Sequence, residues 1–160
     1  MALKPDRVEL THDLSFFMNE VAERGGVVVI STAGSGSALD QSAALCTYAA
    51  SPSGKCPVGL LMGDMVNIDQ TRQHINFLKN ETQKGGKVTL LTEGWVLTNR
   101  IDPAVTVAGG DVAFLGQSGY LSNVQNNAGW ETASQLRVGK FLSAKDEDGY
   151  AKVYVKLPQV

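Results

Sequence analysis

The chain has 160 residues, of which 43% are hydrophobic and 19% charged, and its formal net charge at pH 7 is −2. This composition predicts one folded domain and disfavours a nucleic-acid-binding protein, which would normally carry a basic excess in a clustered stripe. No apolar run reaches the roughly 18 residues of a membrane span, and no apolar signal segment is visible near the start, so we expect a soluble protein made in a cytosol.

The first part of the chain predicts an extended arm and then a short helix. Residues 1–12 are mostly polar and include Pro5, so we expect an N-terminal arm that lies outside a single β-rich domain of residues 13–160. A short amphipathic helix is predicted over residues 12–24, with Gly25 ending it. The apolar residues at helical spacing are Leu10, Leu14, Phe17, Met18 and Val21. The β-branched run Val27–Ile30 then predicts a buried strand.

The remainder of the chain predicts short strands separated by glycine turns, since 17 of the 160 residues are glycine. Predicted strands cover residues 43–50, 58–62, 87–92, 95–101, 105–107, 111–115, 136–144 and 150–157. The last two form a closing hairpin around residues 145–149, in which Asp148 and Gly149 supply the positive-φ turn and Val153, Val155 and Leu157 face the core. This pattern is typical of a small β-barrel or sandwich.

Two glycine-rich segments resemble catalytic or cofactor-binding motifs but are incomplete. Gly34-Ser35-Gly36 follows a predicted strand, yet Leu39 stands where a dinucleotide fingerprint needs a third small residue. Gly116-Gln-Ser-Gly119 lacks the final glycine of a nucleophile elbow, because Tyr120 occupies that position. We therefore expect no enzyme, no catalytic residue and no cofactor. The alternative that remains is a small nucleotide-binding or hydrolytic enzyme that uses the Gly34-Ser35-Gly36 loop.

The cysteine and histidine residues predict neither a disulfide framework nor a metal site. Cys46 and Cys56 are close enough in sequence for a hairpin disulfide, but a reducing cytosol disfavours one, so both are expected to be small buried apolar side chains. His12 and His74 lie far apart in the sequence, and a zinc site would need more ligands than these four residues offer.

Residues 64–79 mix single apolar side chains with amides and are too polar for a central strand. Such a segment suits an interface, and equally a surface strand with one buried face. Its candidate contact residues are Arg72, His74, Asn76 and Phe77. A carbohydrate-binding module is a further alternative, because exposed aromatic rings can stack on sugars; Trp95 and Trp130 are compatible with it, although Trp95 lies among apolar strand residues and is expected in the core.

Four stretches together give the chain a recognisable pattern over most of its length, from about Asp13 to Leu157. They are Val21-Ala-Glu-Arg-Gly-Gly-Val27, Val66-Asn-Ile-Asp-Gln-Thr-Arg-Gln-His-Ile-Asn-Phe77, Gly85-Gly-Lys-Val-Thr-Leu-Leu91 with Gly94-Trp-Val96, and Val138-Gly-Lys-Phe-Leu-Ser-Ala-Lys-Asp-Glu-Asp-Gly-Tyr150. In this pattern the chain resembles tailed-phage head proteins of the decoration, or capsid cement, kind.

The resemblance implies a β-rich, barrel-like body that binds the outside of an assembled capsid, commonly as a trimer, and clamps neighbouring capsid subunits. The expected partners are the major capsid protein and further copies of the chain, with no nucleic acid and no membrane, and the expected location is the outer surface of a virion. The family has no catalytic residues to carry over. Besides those in residues 64–79, the candidate contact residues are Pro5, Arg7, Tyr150 and Tyr154.

Overall fold

The structure, a computed structural model, describes residues 2–31, 34–38, 43–64, 81–124 and 137–157. In chain order the strands are β1 Val8–Asp13, β2 Phe17–Met18, β3 Ala22–Glu23, β4 Val27–Ile30, β5 Leu45–Thr47, β6 Pro57–Asp64, β7 Glu81–Thr82, β8 Val88–Thr98, β9 Val112–Leu115, β10 Leu121–Ser122, β11 Arg137–Phe141 and β12 Ala151–Lys156. The described residues contain one short 3-10 turn, Gln117–Gly119, and no α-helix. The prediction of a mainly β protein is confirmed.

The strands of the described ranges form one large open sheet and a small ribbon. The large sheet has the order β10-β9-β11-β12-β8-β6-β4-β5-β2, with β1 also paired to β8, while β3 and β7 pair separately. All of these pairings are antiparallel except that of β2 with β5. Antiparallel neighbours can be joined by short turns, whereas parallel neighbours need long crossover connections.

The predicted helix over residues 12–24 is wrong, because the segment pairs with strands on both sides. Phe17–Met18 pairs with β5, and Ala22–Glu23 pairs with β7. Helical spacing would have placed five apolar residues on one buried face, yet Leu10, Leu14 and Val21 are 52%, 44% and 52% exposed. Tertiary pairing has overridden a local pattern that is too short to decide the structure by itself.

The N-terminal segment packs on the body instead of lying outside it, which corrects the prediction for the arm. Leu3 is 7% exposed and belongs to the main hydrophobic cluster. The Lys4 amide donates a hydrogen bond to the Leu97 carbonyl at 2.9 Å, and the Asn99 amide donates one to the Ala2 carbonyl at 3.0 Å. These contacts extend the pairing of β1 along one edge of β8.

Strand β8 is the centre of the sheet, and it replaces the two shorter strands predicted around Glu93 and Gly94. Its first part pairs with β6 and its second part with β12, while β1 runs along the opposite edge. Gly94 makes this approach possible, since a Cβ atom built there would lie 2.3 Å from the Val8 carbonyl oxygen. Residues 105–107, predicted as a strand, are not one, although Val105 and Val107 are buried.

Alternate residues of the central strands face two different hydrophobic clusters. Val27 and Val29 face the larger cluster and Val28 the smaller, and Leu91 and Leu90 divide in the same way. The sheet is therefore buried on both faces at this point, which requires continuous apolar runs rather than simple alternation. The larger cluster also contains Leu115 of β9 and Leu121 of β10, from the other end of the sheet. The sheet therefore curves around this cluster.

The two cysteines are free and differ in burial. Cys46 is buried in the smaller cluster, as predicted, and burial raises the pKa of its thiol to about 12. Cys56 is exposed, so the prediction of a second buried cysteine is wrong. Cys56 directly precedes β6 and follows a turn, and it therefore lies at the margin of the sheet rather than under it.

The closing hairpin forms with the predicted register. Gly139 lies opposite Val155 and Phe141 opposite Val153, and Val153, Val155 and Leu157 are 0%, 0% and 5% exposed. Of the two predicted turn residues only Gly149 has a positive φ, at 83°. The alternation of β12 thus correctly predicts which side chains enter the core.

Candidate interaction surface

Strand β1 is an edge strand, and five of its six residues are exposed. It pairs with β8 alone among the described strands, and Val8 and Leu10 are 51% and 52% exposed. An edge strand presents unpaired backbone N–H and C=O groups and can template pairing with another chain, so natural proteins usually protect it. Two exposed apolar side chains on such an edge make β1 the clearest candidate contact surface in the described structure.

A small charged cluster lies on β1 and fixes the side chain of Arg7, one of the predicted contact residues. Its guanidinium bonds to the Glu9 carboxylate, which also bonds to the His12 ring nitrogen Nε2 at 2.7 Å. Partial burial acts to raise the pKa of Glu9, but the hydrogen bonds and positive charges of Arg7 and His12 lower it overall. Pro5 is exposed just before this cluster.

The two predicted contact tyrosines lie at different places beside the N-terminal segment. The ammonium group of Lys4 lies 4.1 Å from the centroid of the Tyr150 ring and 3.6 Å from an Asp146 carboxylate oxygen. Asp146 in turn accepts hydrogen bonds from backbone amides of the hairpin turn, which lower its pKa. Residue Lys4 thus fastens the N-terminal segment to the tip of the closing hairpin.

Tyr154 belongs to the outward face of the sheet and contacts a residue that was expected in the core. Its ring centroid is 5.3 Å from that of Trp95, with the planes at 46°, and its hydroxyl donates a hydrogen bond to a Glu93 oxygen at 2.8 Å. That hydrogen bond raises the pKa of Tyr154. Trp95 is only half-buried and outside both hydrophobic clusters, because Val96 takes the inward position, which corrects the prediction for Trp95.

The register brings the aromatic pair next to the edge strand. Val8 lies opposite Trp95, and Trp95 lies opposite Tyr154. Sequence reasoning missed Val8, Leu10 and Trp95 as surface residues. The alternation of Glu93, Trp95 and Leu97 with buried residues could have placed Trp95 outside, but nothing local revealed that β1 would pair there. The other candidates, Arg72, His74, Asn76 and Phe77, lie outside the described residues, as does Trp130.

The Gly34-Ser35-Gly36 loop follows strand β4, whose neighbouring strands are both antiparallel to it. Strand β4 pairs antiparallel with both β5 and β6. A dinucleotide fingerprint lies instead in a parallel strand–helix–strand unit, where the helix N-terminus faces the phosphates. No helix follows β4 within the described residues up to Asp64. The loop therefore lacks the structural context that would make its glycines a phosphate site.

The other incomplete motif, Gly116-Gln-Ser-Gly119, lines a small cleft and adopts a left-handed turn. Ser118 is the one described non-glycine residue with a positive φ, 52°, and its amide donates a 2.6 Å hydrogen bond to the Ala49 carbonyl. Asp102 and Tyr120 line the same cleft. Because the hydrogen bond joins the turn before β10 to the segment after β5, it accounts structurally for the strained backbone.

Half-buried Tyr48, which lies just after β5, joins that segment to the connection between β3 and β4. The Tyr48 hydroxyl donates to the Glu23 carbonyl at 2.6 Å and accepts from the Gly26 amide at 3.1 Å. Burial raises the pKa of Tyr48, with the neighbouring Arg100 guanidinium acting against it. The Tyr48 hydroxyl thus uses both its donor and an acceptor position to bind backbone groups at the same connection.

The described ranges hold no group of three or more His, Cys, Asp and Glu side chains placed to bind a metal ion. No helix in those ranges is both long and apolar enough to cross a membrane. Compared with models of known protein families and with curated proteins, the chain shows no match to either.

Proposed function

We propose that this protein is a structural virion protein that binds the outer surface of an assembled phage capsid and stabilises it by clamping neighbouring capsid subunits. It acts without catalysis, and its partners are the major capsid protein and copies of itself. The protein is made in the host cytoplasm and ends on the virion surface. The resemblance of the sequence to decoration proteins motivates this proposal, and one structural observation supports it.

That observation is the exposed edge strand β1. Val8 and Leu10 expose about half of their surface on a strand that pairs along only one edge with the other described strands. In a protein that acts alone, such an edge would favour aggregation. A partner that supplies a further strand or an apolar groove would satisfy the backbone groups and cover both side chains.

We further propose that the open sheet closes into a barrel-like body and that three copies bind together. Support for closure comes from the hydrogen bond of Ser118 to Ala49, which links the two ends of the sheet, and from the larger hydrophobic cluster, which contains Ala49 together with Leu115 and Leu121. A capsid repeats the same site many times, so a trimer would gain avidity from modest contacts in each copy.

The nucleotide-binding alternative has less support. It requires a phosphate-binding loop in the context of a parallel sheet, and β4 has antiparallel neighbours. Isothermal calorimetry with ATP, NAD and a flavin would test it directly. Saturable micromolar binding of any of them, lost when Gly34 and Gly36 are both replaced by alanine, would favour the enzyme over the structural protein.

The proposed role is tested by co-sedimentation of the protein with empty shells assembled from a phage major capsid protein. The wild type should pellet with the shells, and the double variant Val8→Asp/Leu10→Asp should stay in the supernatant. A matched control, Ile30→Asp/Val124→Asp, changes two apolar residues that are 46% and 42% exposed elsewhere and should still pellet. Failure of the wild type to pellet at saturating concentration would contradict the proposal.

A further inference from the structure

The outward face of β9, β11, β12 and the second part of β8 gathers basic side chains from distant parts of the sequence. Along β12 the exposed lysines alternate with core residues, and the outward positions of β11 are also basic. Outward aromatic residues occupy β8, β9 and β12. We name this surface the basic face, and its members are Trp95, Phe114, Arg137, Lys140, Lys152, Tyr154 and Lys156.

Cross-strand register makes the face continuous. Lys140 lies opposite Tyr154, and Tyr154 lies opposite Trp95. On the far side, Arg137 lies opposite Phe114. Directly opposite residues in a sheet have Cβ atoms about 5 Å apart, so these side chains form one surface rather than separate projections.

The positive charge of the face is largely uncompensated. Among the described residues of these strands, the four cations share the surface with one carboxylate, that of Glu93, which lies 3.9 Å from the Lys156 ammonium, so these five residues have a formal charge of +3. Arg137, Lys140 and Lys152 have no ion-pair partner within the described ranges. The whole chain has a net charge of −2, so the face is opposite in sign to the protein that carries it.

We infer that the basic face docks on an acidic protein surface, one that presents aspartate and glutamate carboxylates around an apolar centre. Unpaired cations around half-buried Trp and Tyr match the composition of protein interfaces, in which aromatic residues and arginine are enriched. Complementary charge would steer the encounter and fix the orientation of the bound protein. The inference deepens the proposed function, since it assigns the chemistry of the capsid patch that the protein contacts.

A protein partner fits this face better than a single-stranded nucleic acid. Trp95 and Tyr154 pack against each other at 46°, and the Tyr154 hydroxyl is bonded to Glu93, so the rings are not presented as parallel platforms for successive bases. Val8, on the exposed edge strand, continues the surface on the far side of Trp95, which an extended protein interface can use.

The test uses the folded full chain and fluorescently labelled poly-L-glutamate as a probe for an acidic protein surface. A labelled single-stranded dT20 oligonucleotide is measured in the same way and represents a nucleic-acid partner. Fluorescence anisotropy gives the affinity at low and at physiological salt. The variant Lys140→Glu/Lys152→Glu reverses two unpaired charges of the face. The matched control, Lys55→Glu/Lys84→Glu, makes the same change of net charge in loops outside it. Thermal melts verify that each variant is folded.

The inference predicts that wild type and control bind polyglutamate with similar affinity, and that the face variant binds at least about tenfold more weakly at low salt. Carbodiimide cross-linking should join polyglutamate to Lys140 or Lys152 in mass spectra. The inference would be overturned if the face variant and the control lost affinity for polyglutamate equally, if the wild type did not bind polyglutamate, or if it bound dT20 more tightly than polyglutamate. Because the assay contains no capsid, its result is independent of whether the wild type pellets with shells.

Discussion

Replacement of Val155 by aspartate tests the packing on which the sheet depends. Val155 is 0% exposed in the larger cluster and has glycines on both sides, Gly94 and Gly139. A Cβ atom at Gly139 would lie 1.8 Å from the Tyr154 carbonyl oxygen, so the strands are too close for the new carboxyl to turn out of the core between them. The aspartate must therefore remain buried or the hairpin must open.

The cost can be worked out from burial. An aspartic acid with an ordinary pKa of about 3.9 needs about 4 kcal/mol to remain neutral at pH 7, at about 1.36 kcal/mol per pH unit. Loss of the buried valine adds about 1.5–3 kcal/mol. The sum of about 6–7 kcal/mol is comparable with the total stability of about 5–15 kcal/mol of a typical domain.

Urea unfolding followed by circular dichroism measures this effect. The variant should be largely unfolded at pH 7. Burial of a neutral carboxyl raises its pKa in the folded state. The stability of the Val155→Asp protein should therefore be greatest below about pH 4 and be lost as the pH rises. The control Lys152→Asp changes an exposed residue three positions earlier, and its urea midpoint should be close to that of the wild type. A cooperative transition of the Val155→Asp protein near the wild-type midpoint would refute the register and the burial argument.

Three further predictions concern the N-terminal segment and Tyr48. Leu3→Ala should lower the free energy of unfolding by about 2–5 kcal/mol in urea titrations, because Leu3 is a core residue. An unchanged free energy of unfolding would show that the N-terminal segment does not pack on the core. Gly94→Ala should detach β1 from β8, because the new Cβ atom would meet the Val8 carbonyl oxygen. Limited trypsin digestion should then cleave the N-terminal segment faster. The control Gly34→Ala should leave the rate of digestion unchanged, because the nearest atom to its new Cβ lies at 3.9 Å. The raised pKa of Tyr48 predicts stability that is complete below about pH 10 and falls as the pH rises further; a Tyr48→Phe protein should show a weaker fall, and an equal fall would exclude Tyr48 as its cause.

The closing hairpin shows what the sequence could predict. Strict alternation in β12 and Gly149 in the turn are local signals, and the structure has the expected register and core residues. The helix over residues 12–24 shows the opposite case. There the decisive interactions are the pairings of β2 with β5 and of β3 with β7, between strands far apart in the sequence. A pattern of five apolar residues carries no information about those partners.

The surface was the least predictable part of the molecule. Lysine and arginine are spread along the sequence, which argues against a basic stripe, yet folding places Arg137, Lys140, Lys152 and Lys156 on one face. The exposed edge strand was equally hidden, because Val8 and Leu10 have the composition of buried residues. Such surfaces depend on which strands become neighbours, and only the tertiary structure supplies that information.

The most direct measurement of the central claim is a cryo-electron microscopy reconstruction of shells of the major capsid protein incubated with this protein. We expect added density on the outer surface, in which each bound copy contacts more than one capsid subunit through β1 and the basic face. Shells without added density at saturating protein concentration, or density confined to the inner surface, would contradict it.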